Sequence, residues 1–129
     1  MLSLQTDKIG NLSIVECQGS IARTAEIAQL RAAVLARDWA EAIIIDLSEV
    51  RYVEMDAIQL LAFLGSWARE NGIQLKLFNP SSYVHHQFKS VDAMFHFEFA
   101  SLPDAMGMLM RAESDLDVQA MQAELSHAA

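Results

Sequence analysis

Two carboxylates stand close together where an apolar segment gives way to an amphipathic one. Glu54 and Asp56 are separated by a single residue, just before the apolar stripe that includes Ile58. Paired carboxylates carry out acid–base chemistry when their surroundings separate their pKa values. The neighbouring residues add no nucleophile, base or electrophile, and the sequence has no G-x-G-x-x-G, G-x-S-x-G, P-loop or H-E-x-x-H motif. We therefore expect that this chain is not an enzyme.

The histidines and the single cysteine are placed poorly for metal binding. His85 and His86 are adjacent in a predicted helix and point about 100° apart, which makes them a poor chelating pair. His96 alternates with phenylalanines on a predicted strand, and His127 lies near the end of the sequence. Cys17 is alone, so it has no disulfide partner within the chain, and its apolar neighbours indicate a buried core residue. We expect no metal and no cofactor.

Asp56 also has to be considered as a phosphate acceptor, because it follows a predicted strand in a chain that alternates strands and helices. Receiver-type phosphorylation needs further carboxylates beside the acceptor to hold Mg²⁺. The opening strands offer only Asp7 and Glu16, neither of them at a strand end. Lys76 lies in the middle of a predicted strand rather than opposite the acceptor. Receiver-type chemistry is therefore not expected.

The acidic composition narrows the classes of partner. The chain has 129 residues, with 9 Lys and Arg against 17 Asp and Glu, and a formal net charge of −8. A chain of this length fits one domain, and its negative charge disfavours nucleic acid and anionic membrane surfaces. The sequence shows neither a signal peptide nor an apolar segment of the roughly 18 residues that a membrane span needs. We expect a cytoplasmic protein that binds other proteins.

The strands are predicted from apolar residues that alternate with polar ones or run together. Alternating residues on either side of a turn at 8–11 predict an opening hairpin with one buried face, formed by Leu2, Leu4, Leu12 and Ile14. The other predicted strands are a β-branched run buried on both faces at 42–45 and alternating segments at 73–78 and 95–99. We expect the second strand to end at Gly19-Ser20 and the third at 46–48.

Helices are predicted where apolar residues recur every three or four positions after a capping residue. Thr24 is expected to cap the first helix. A second helix is predicted at about 55–70, ended by Asn71-Gly72. Serines at 81 and 82 are suited to cap a short helix through Lys89, and the letters SLPD at 101–104 to begin a last helix that extends toward Leu125.

The predicted order of elements is β-β-α-β-α-β-α-β-α. Strands that alternate with helices form a largely parallel sheet with helices packed on it. We therefore predict a single α/β domain with a mixed sheet of about five strands. The domain is predicted to span 1–112, followed by a helix extension or frayed tail at 113–129.

The segment 42–80 resembles a STAS domain, a family named for sulfate transporters and anti-sigma factor antagonists. The resemblance rests on the letters IIIDLSEVRYVEMDAIQLL at 43–61 and NGIQLKLFNP at 71–80. The family pattern is an apolar strand ending in Asp-Leu-Ser, a loop, an Asp-Ser-Ser/Thr-Gly-Leu motif that opens a helix, then glycine and a strand that leads into Asn-Pro. Weaker matches at Gly19, at Val91-Asp92 with Phe95, and at 102–105 extend the resemblance to roughly 10–110. The fold predicted above agrees with that of the family.

The functional motif of the family is the part that differs here. Its place is taken by Glu54, Met55, Asp56, Ala57 and Ile58. The resemblance places Asp56 at the serine or threonine that a partner kinase phosphorylates. Asp56 carries a charge of −1, against about −1.5 to −2 for phosphoserine. Two compatible interpretations stay open: Asp56 imitates a phosphorylated state, or it is a helix N-cap.

The resemblance implies a protein–protein interaction domain like an anti-sigma factor antagonist, acting in partner switching that regulates transcription. The implied partner is an anti-sigma factor or serine kinase of the histidine-kinase-like ATPase type. Phosphorylation is not expected at Asp56, and binding should depend on 48–58 and the start of the second helix. The alternatives are a STAS accessory subunit of an ABC-type lipid transporter and a homodimer without a switch.

Overall fold

Five strands form one mixed sheet in the order β1-β2-β3-β4-β5. The computed structural model describes residues 1–91 and 95–114. The strands are β1 (Leu2–Ile9), β2 (Leu12–Ile21), β3 (Ala42–Val53), β4 (Gln74–Phe78) and β5 (Phe99–Ala100). β1 and β2 pair antiparallel, and the other neighbouring pairs are parallel. The predicted hairpin and the predicted mixed α/β sheet are confirmed. The single buried face predicted for the hairpin is wrong, because Leu2 and Leu4 pack on one face of the sheet, whereas Leu12 and Ile14 pack on the other.

Helices pack on both faces of this sheet. Within the described residues they are α1 (Thr24–Leu35), α2 (Met55–Glu70), α3 (Ser82–Lys89) and α4 (102–114). Buried residues of α1, α2 and α3 share one core with Ile43 and Ile45, whereas Met108 of α4 packs with Leu12 and Ile44 on the opposite face. The run at 42–45 is therefore covered on both sides, as predicted. No helix in the described part of the chain combines the length and apolar character needed to cross a bilayer.

Cys17 is a buried residue of the larger core, with 2% of its surface exposed. Burial, and to a smaller extent the charge of Asp46, raises the pKa of its thiol to about 12. Because the thiolate is the reactive form, a thiol with so high a pKa is inert. The prediction of a core cysteine is confirmed.

Strands β2 and β3 both continue beyond the ends that the sequence predicts. The expected end of β3 at 46–48 is wrong, since β2 stays paired with it until Ile21 lies opposite Val53. Two register shifts interrupt this pairing, one of them between Gly19 and Ser20. Gly19 has a φ of 103°, which glycine tolerates without a Cβ penalty. Gly19 and Ser20 therefore belong to an irregular stretch of β2 rather than to its end.

The predicted strand at 95–99 is largely wrong, because β5 contains only Phe99 and Ala100. Its alternating phenylalanines form an aromatic cluster instead of a strand face. The rings of Phe97 and Phe99 pack edge-on against Phe88 of α3, with centroids 4.9 and 5.7 Å away. Packing around Phe88 thus replaces regular pairing along most of this segment.

Two of the four predicted helix starts are confirmed by side-chain hydrogen bonds, and one is corrected. Ser81 Oγ accepts from Val84 N at 3.2 Å, and the Oγ of Ser101 accepts from Asp104 N at the same distance. Arg23, not Thr24, is the N-cap of α1. Its amide donates to a carboxylate oxygen of Glu26 at 3.1 Å, so an acidic residue in the first turn satisfies the backbone amide of the N-cap residue.

The bounds of α2 and α3 agree with the prediction. Gly72 follows α2 with a φ of 68°, and Ile73 N donates to Ala68 O at 2.8 Å in the arrangement expected of a glycine stop. Residues 113 and 114 still belong to α4. The remaining tail, including His127, and Asp92 of the family resemblance lie outside the described residues, so the boundary at 112 stays a prediction.

Ser13 of β2 is fully buried, and its hydroxyl has no hydrogen-bond partner in the described part of the chain. A buried polar group without a partner costs about 1–3 kcal/mol. Ser13→Ala is therefore expected to raise the free energy of unfolding by about 1 kcal/mol, measured by urea denaturation. Ser3→Ala, at an exposed site on β1, serves as the control and should change stability by less than about 0.5 kcal/mol. A destabilised Ser13→Ala would contradict this account.

Candidate functional site

The candidate site is the junction at which β3 passes directly into α2. The amide of Glu54 donates to the carbonyl of Ile21 at 2.9 Å, so this residue is still attached to the end of β2. The carbonyl of Glu54 accepts from the amides of Ala57 and Ile58 at 2.9 and 3.0 Å, which begins the helix. Since β3 continues to Val53, beyond its predicted end at 46–48, the start of α2 is held by the sheet itself.

The five residues predicted to form the site divide between surface and core. Met55 is 43% exposed and Asp56 is exposed, while Glu54 is half-buried. Ala57 and Ile58 are buried in the core beneath them. Only the first three are available to contact a partner, and the buried pair anchors the first turn of α2.

The interpretation of Asp56 as a helix N-cap is wrong. Glu54 is the N-cap of α2, and its side chain makes no capping hydrogen bond. Asp56 stands at the second helical position, where its carboxylate is favoured by the positive end of the helix dipole. The N-terminus of α2 therefore presents the negative charge of Asp56 at the surface, and Asp56 is not the N-cap residue of the helix.

Tyr52 lies two residues before the N-cap of α2, and Tyr83 of α3 lies close enough to Tyr52 to affect its pKa. The hydroxyl of Tyr52 donates to a carboxylate oxygen of Glu54 at 3.0 Å. This hydrogen bond and the charge of Glu54 raise the pKa of Tyr52, and Tyr83 of α3 adds to the shift. Tyr83 is 59% exposed, although large aromatic side chains gain free energy from burial. We call Tyr52, Glu54, Met55, Asp56 and Tyr83 together the junction surface.

Sequence reasoning missed the contribution of α3 to the junction surface. Residues 83 and 87 lie about 30 positions after the motif, and nothing in their spacing indicates that they return to it. The only available signal was an aromatic residue two positions after the Ser81 cap in a short polar helix. Exposed Met55 and Tyr83 side chains are typical of residues that partners bury at an interface.

The chain segment that leads into α2 carries more negative than positive charge. The charged residues of the segment 49–56 are the carboxylates Glu49, Glu54 and Asp56 and the cation Arg51. Phe63, which is 51% exposed, lies eight residues after Met55 in α2, about 12 Å along the helix. The surface thus combines exposed apolar side chains with carboxylates.

Neither His85 nor His96 joins these residues in a metal site. The ring of His85 packs edge-on against Phe99 at 5.1 Å, and His96 is exposed, with its ring nitrogen 3.9 Å from Glu98. In 1–91 and 95–114, no three histidine, cysteine or carboxylate side chains lie close enough together to hold an ion.

The sequence matches the STAS domain family over residues 3–105. This chain therefore belongs to the STAS domain family, in agreement with the resemblance found in its sequence. No curated protein sequence matches it significantly.

Solved structures with the same fold include anti-sigma factor antagonists and part of a transporter. The Bacillus protein SpoIIAA in its unphosphorylated form has 15% identity and a TM-score of 0.63, covering 85% of this chain and 96% of that one. An anti-sigma factor antagonist from Mycobacterium paratuberculosis has 21% identity and a TM-score of 0.62, covering 85% and 95%. The murine anion transporter Slc26a9 has 23% identity and a TM-score of 0.65, covering 81% of this chain but only 18% of the transporter. At these identities the likeness establishes the fold alone.

Proposed function

We propose that this chain is a protein-binding domain that acts like an anti-sigma factor antagonist and contacts its partner through the junction surface. The observation that carries the proposal is the exposed Met55 and Asp56 pair at the start of α2. The resemblance of the sequence implies that this pair stands at the phosphorylation motif of the family. Its partner would be an anti-sigma factor or serine kinase of the histidine-kinase-like ATPase type. The chain would act by binding rather than by catalysis.

Asp56 is proposed to stand where related antagonists carry a phosphorylatable serine or threonine. A carboxylate at this position cannot accept phosphate in the same stable ester linkage, and it supplies a permanent charge instead. Because the charge cannot be added or removed by a kinase, the contact would be regulated differently from a phosphorylation switch. Restoring a hydroxyl with Asp56→Ser should therefore change how a kinase partner treats the domain.

The side chains of the junction surface fit a partner face that is apolar at its centre and basic around it. Met55 and the two tyrosines supply apolar area, and tyrosine is enriched among residues that dominate binding energy. The carboxylates of Glu54 and Asp56 would meet partner cations and speed association at low salt. The net charge of −8 on the whole chain points in the same direction.

Affinity capture from the native host tests this proposal with a matched pair of variants. Met55→Lys places a charge in the junction surface, whereas Met110→Lys makes the same change at a methionine that is 65% exposed on α4, across the sheet. Captured proteins are identified by mass spectrometry, and the dissociation constant is then measured with purified partner. We expect Met55→Lys to weaken binding at least tenfold, about 1.4 kcal/mol, and Met110→Lys to leave it unchanged.

Different captured partners have different consequences. A kinase-like ATPase that is lost with Met55→Lys, and that phosphorylates Asp56→Ser, supports the proposal. Capture of ABC-transporter components by the wild type and by all three variants (Met55→Lys, Met110→Lys and Asp56→Ser) would favour the accessory-subunit alternative. Self-association alone would favour a homodimer. Phosphate on Asp56 of the wild-type chain, or binding that is lost with Met110→Lys only, would contradict the proposal.

A further inference from the structure

The last part of β3 lacks a strand neighbour on one of its edges. Pairing between β3 and β4 ends where Asp46 lies opposite Phe78. On the other edge, β2 remains paired with β3 as far as Val53. Within the described residues, no strand therefore borders 47–53 on the side of β4, although this stretch leads directly into the junction surface.

A side chain of α3 takes the place of the missing strand at Val53. The amide of Val53 donates to Gln87 Oε1 at 3.1 Å, and Gln87 Nε2 donates to the carbonyl of Val53 at 3.1 Å. One side-chain amide thus satisfies both backbone groups of the last β3 residue, as a neighbouring strand would do. The two residues are 34 positions apart in the sequence.

The helix that carries Gln87 is itself fixed in the core. Val84 and Phe88, on either side of Gln87 along α3, are almost completely buried. Phe88 packs edge-on against two other phenylalanine rings. A side chain that projects from such an anchored helix loses little further freedom when it forms its hydrogen bonds, so the pair with Val53 is well suited to fix a position.

The chain is consequently held on both sides immediately before α2. Gln87 binds Val53, and Ile21 accepts from the amide of Glu54 at 2.9 Å. Met55 and Asp56 follow without any intervening loop. We propose that Gln87 is a positioning residue: it fixes the direction in which the chain enters α2, and so the placement of Met55 and Asp56 relative to Tyr83. This inference rests on the proposed function of the junction surface.

Amide hydrogen exchange in the free protein, followed by NMR, tests the first half of the proposal. Gln87→Met keeps the length of the side chain but removes its donor and acceptor, and Gln5→Met makes the same change at an exposed site on β1. We expect exchange at the Val53 amide to rise at least tenfold with Gln87→Met, with shifted resonances at 54–58. Exchange at Ile44, in the centre of the sheet, should not change. Unchanged protection of Val53 would overturn the proposal.

Binding of the captured partner tests the second half. We expect Gln87→Met to weaken binding about tenfold, Gln5→Met to leave it unchanged, and the effects of Gln87→Met and Met55→Ala to be non-additive, since both act on the same segment. The positioning proposal is overturned if exchange at the Val53 amide rises but affinity for the partner is unchanged. It is also overturned if the effects of Gln87→Met and Met55→Ala on affinity are additive; in either case Gln87 has a structural role only. If Met55→Lys also has no effect, the proposed function fails separately. Should Gln87→Met not fold, Gln87→Asn, which is one methylene too short to reach both groups, takes its place in both experiments.

Discussion

Phe88→Ala is expected to lower the free energy of unfolding by about 3–5 kcal/mol, the usual cost of removing a fully buried aromatic side chain. Phe88 is 1% exposed and stands at the centre of the cluster formed with Phe97 and Phe99. α3 has only 8 residues, too few for a helix that is stable alone. Its attachment to the sheet therefore depends on this side chain. Urea denaturation of the purified variant measures the loss.

Tyr83→Ala is the matched control, because it removes an aromatic ring from the same helix at an exposed position. We expect it to change stability by less than about 0.5 kcal/mol, while it weakens partner binding through the junction surface. A loss below about 1 kcal/mol for Phe88→Ala would mean that α3 is held mainly by its polar contacts. That result would also remove the support for Gln87 as a fixed point.

Gly10→Ala is expected to be nearly as destabilising, by about 2–5 kcal/mol. Gly10 forms the β1–β2 turn with a φ of 56°, where an L-residue costs about 1–2 kcal/mol. A Cβ at this position would lie 2.5 Å from the carbonyl oxygen of Ala112 in α4. Relieving that overlap should cost a further 1–3 kcal/mol or so, because backbone of a packed helix has to move.

Gly72→Ala separates the two contributions. Gly72 has a φ of 68°, but no atom lies within 4 Å of the Cβ that alanine would add. We expect this variant to lose only the conformational cost, about 1–2 kcal/mol, in the same denaturation measurement. Equal losses of unfolding free energy for Gly10→Ala and Gly72→Ala would show that the close approach of Ala112 in α4 adds no cost at Gly10.

The sequence determined the fold class and most element positions because local signals agreed with the tertiary structure. The β-branched run at 42–45 is buried on both faces, and α2 spans the predicted range with its glycine stop. The Ser81 and Ser101 caps act within three residues of themselves. Such features depend on neighbours along the chain, so they can be inferred without knowing what packs against them.

Only the tertiary structure decided where β3 ends and what surrounds its last residue. The letters Asp-Leu-Ser at 46–48 are compatible with a strand end, but pairing with β2 carries the strand to Val53. The alternation at 95–99 is compatible with a full strand, but packing on Phe88 leaves two paired residues. A pattern along one chain segment records which residues are apolar, not how long its neighbour continues to supply hydrogen bonds.

For the candidate site, too, the sequence supplied one part of the description and the tertiary structure the other. The sequence pointed to Glu54–Ile58 through its resemblance to a family motif, and that resemblance implies that Asp56 stands where the family has a hydroxyl residue. Tertiary structure decided which of these side chains reach the surface, that Glu54 rather than Asp56 begins α2, and that Tyr83 and Gln87 of α3 adjoin it. The contact between Gln87 and Val53 joins residues 34 positions apart. Chain folding brings them together through the burial of Val84 and Phe88, for which the local sequence around Val53 contains no signal.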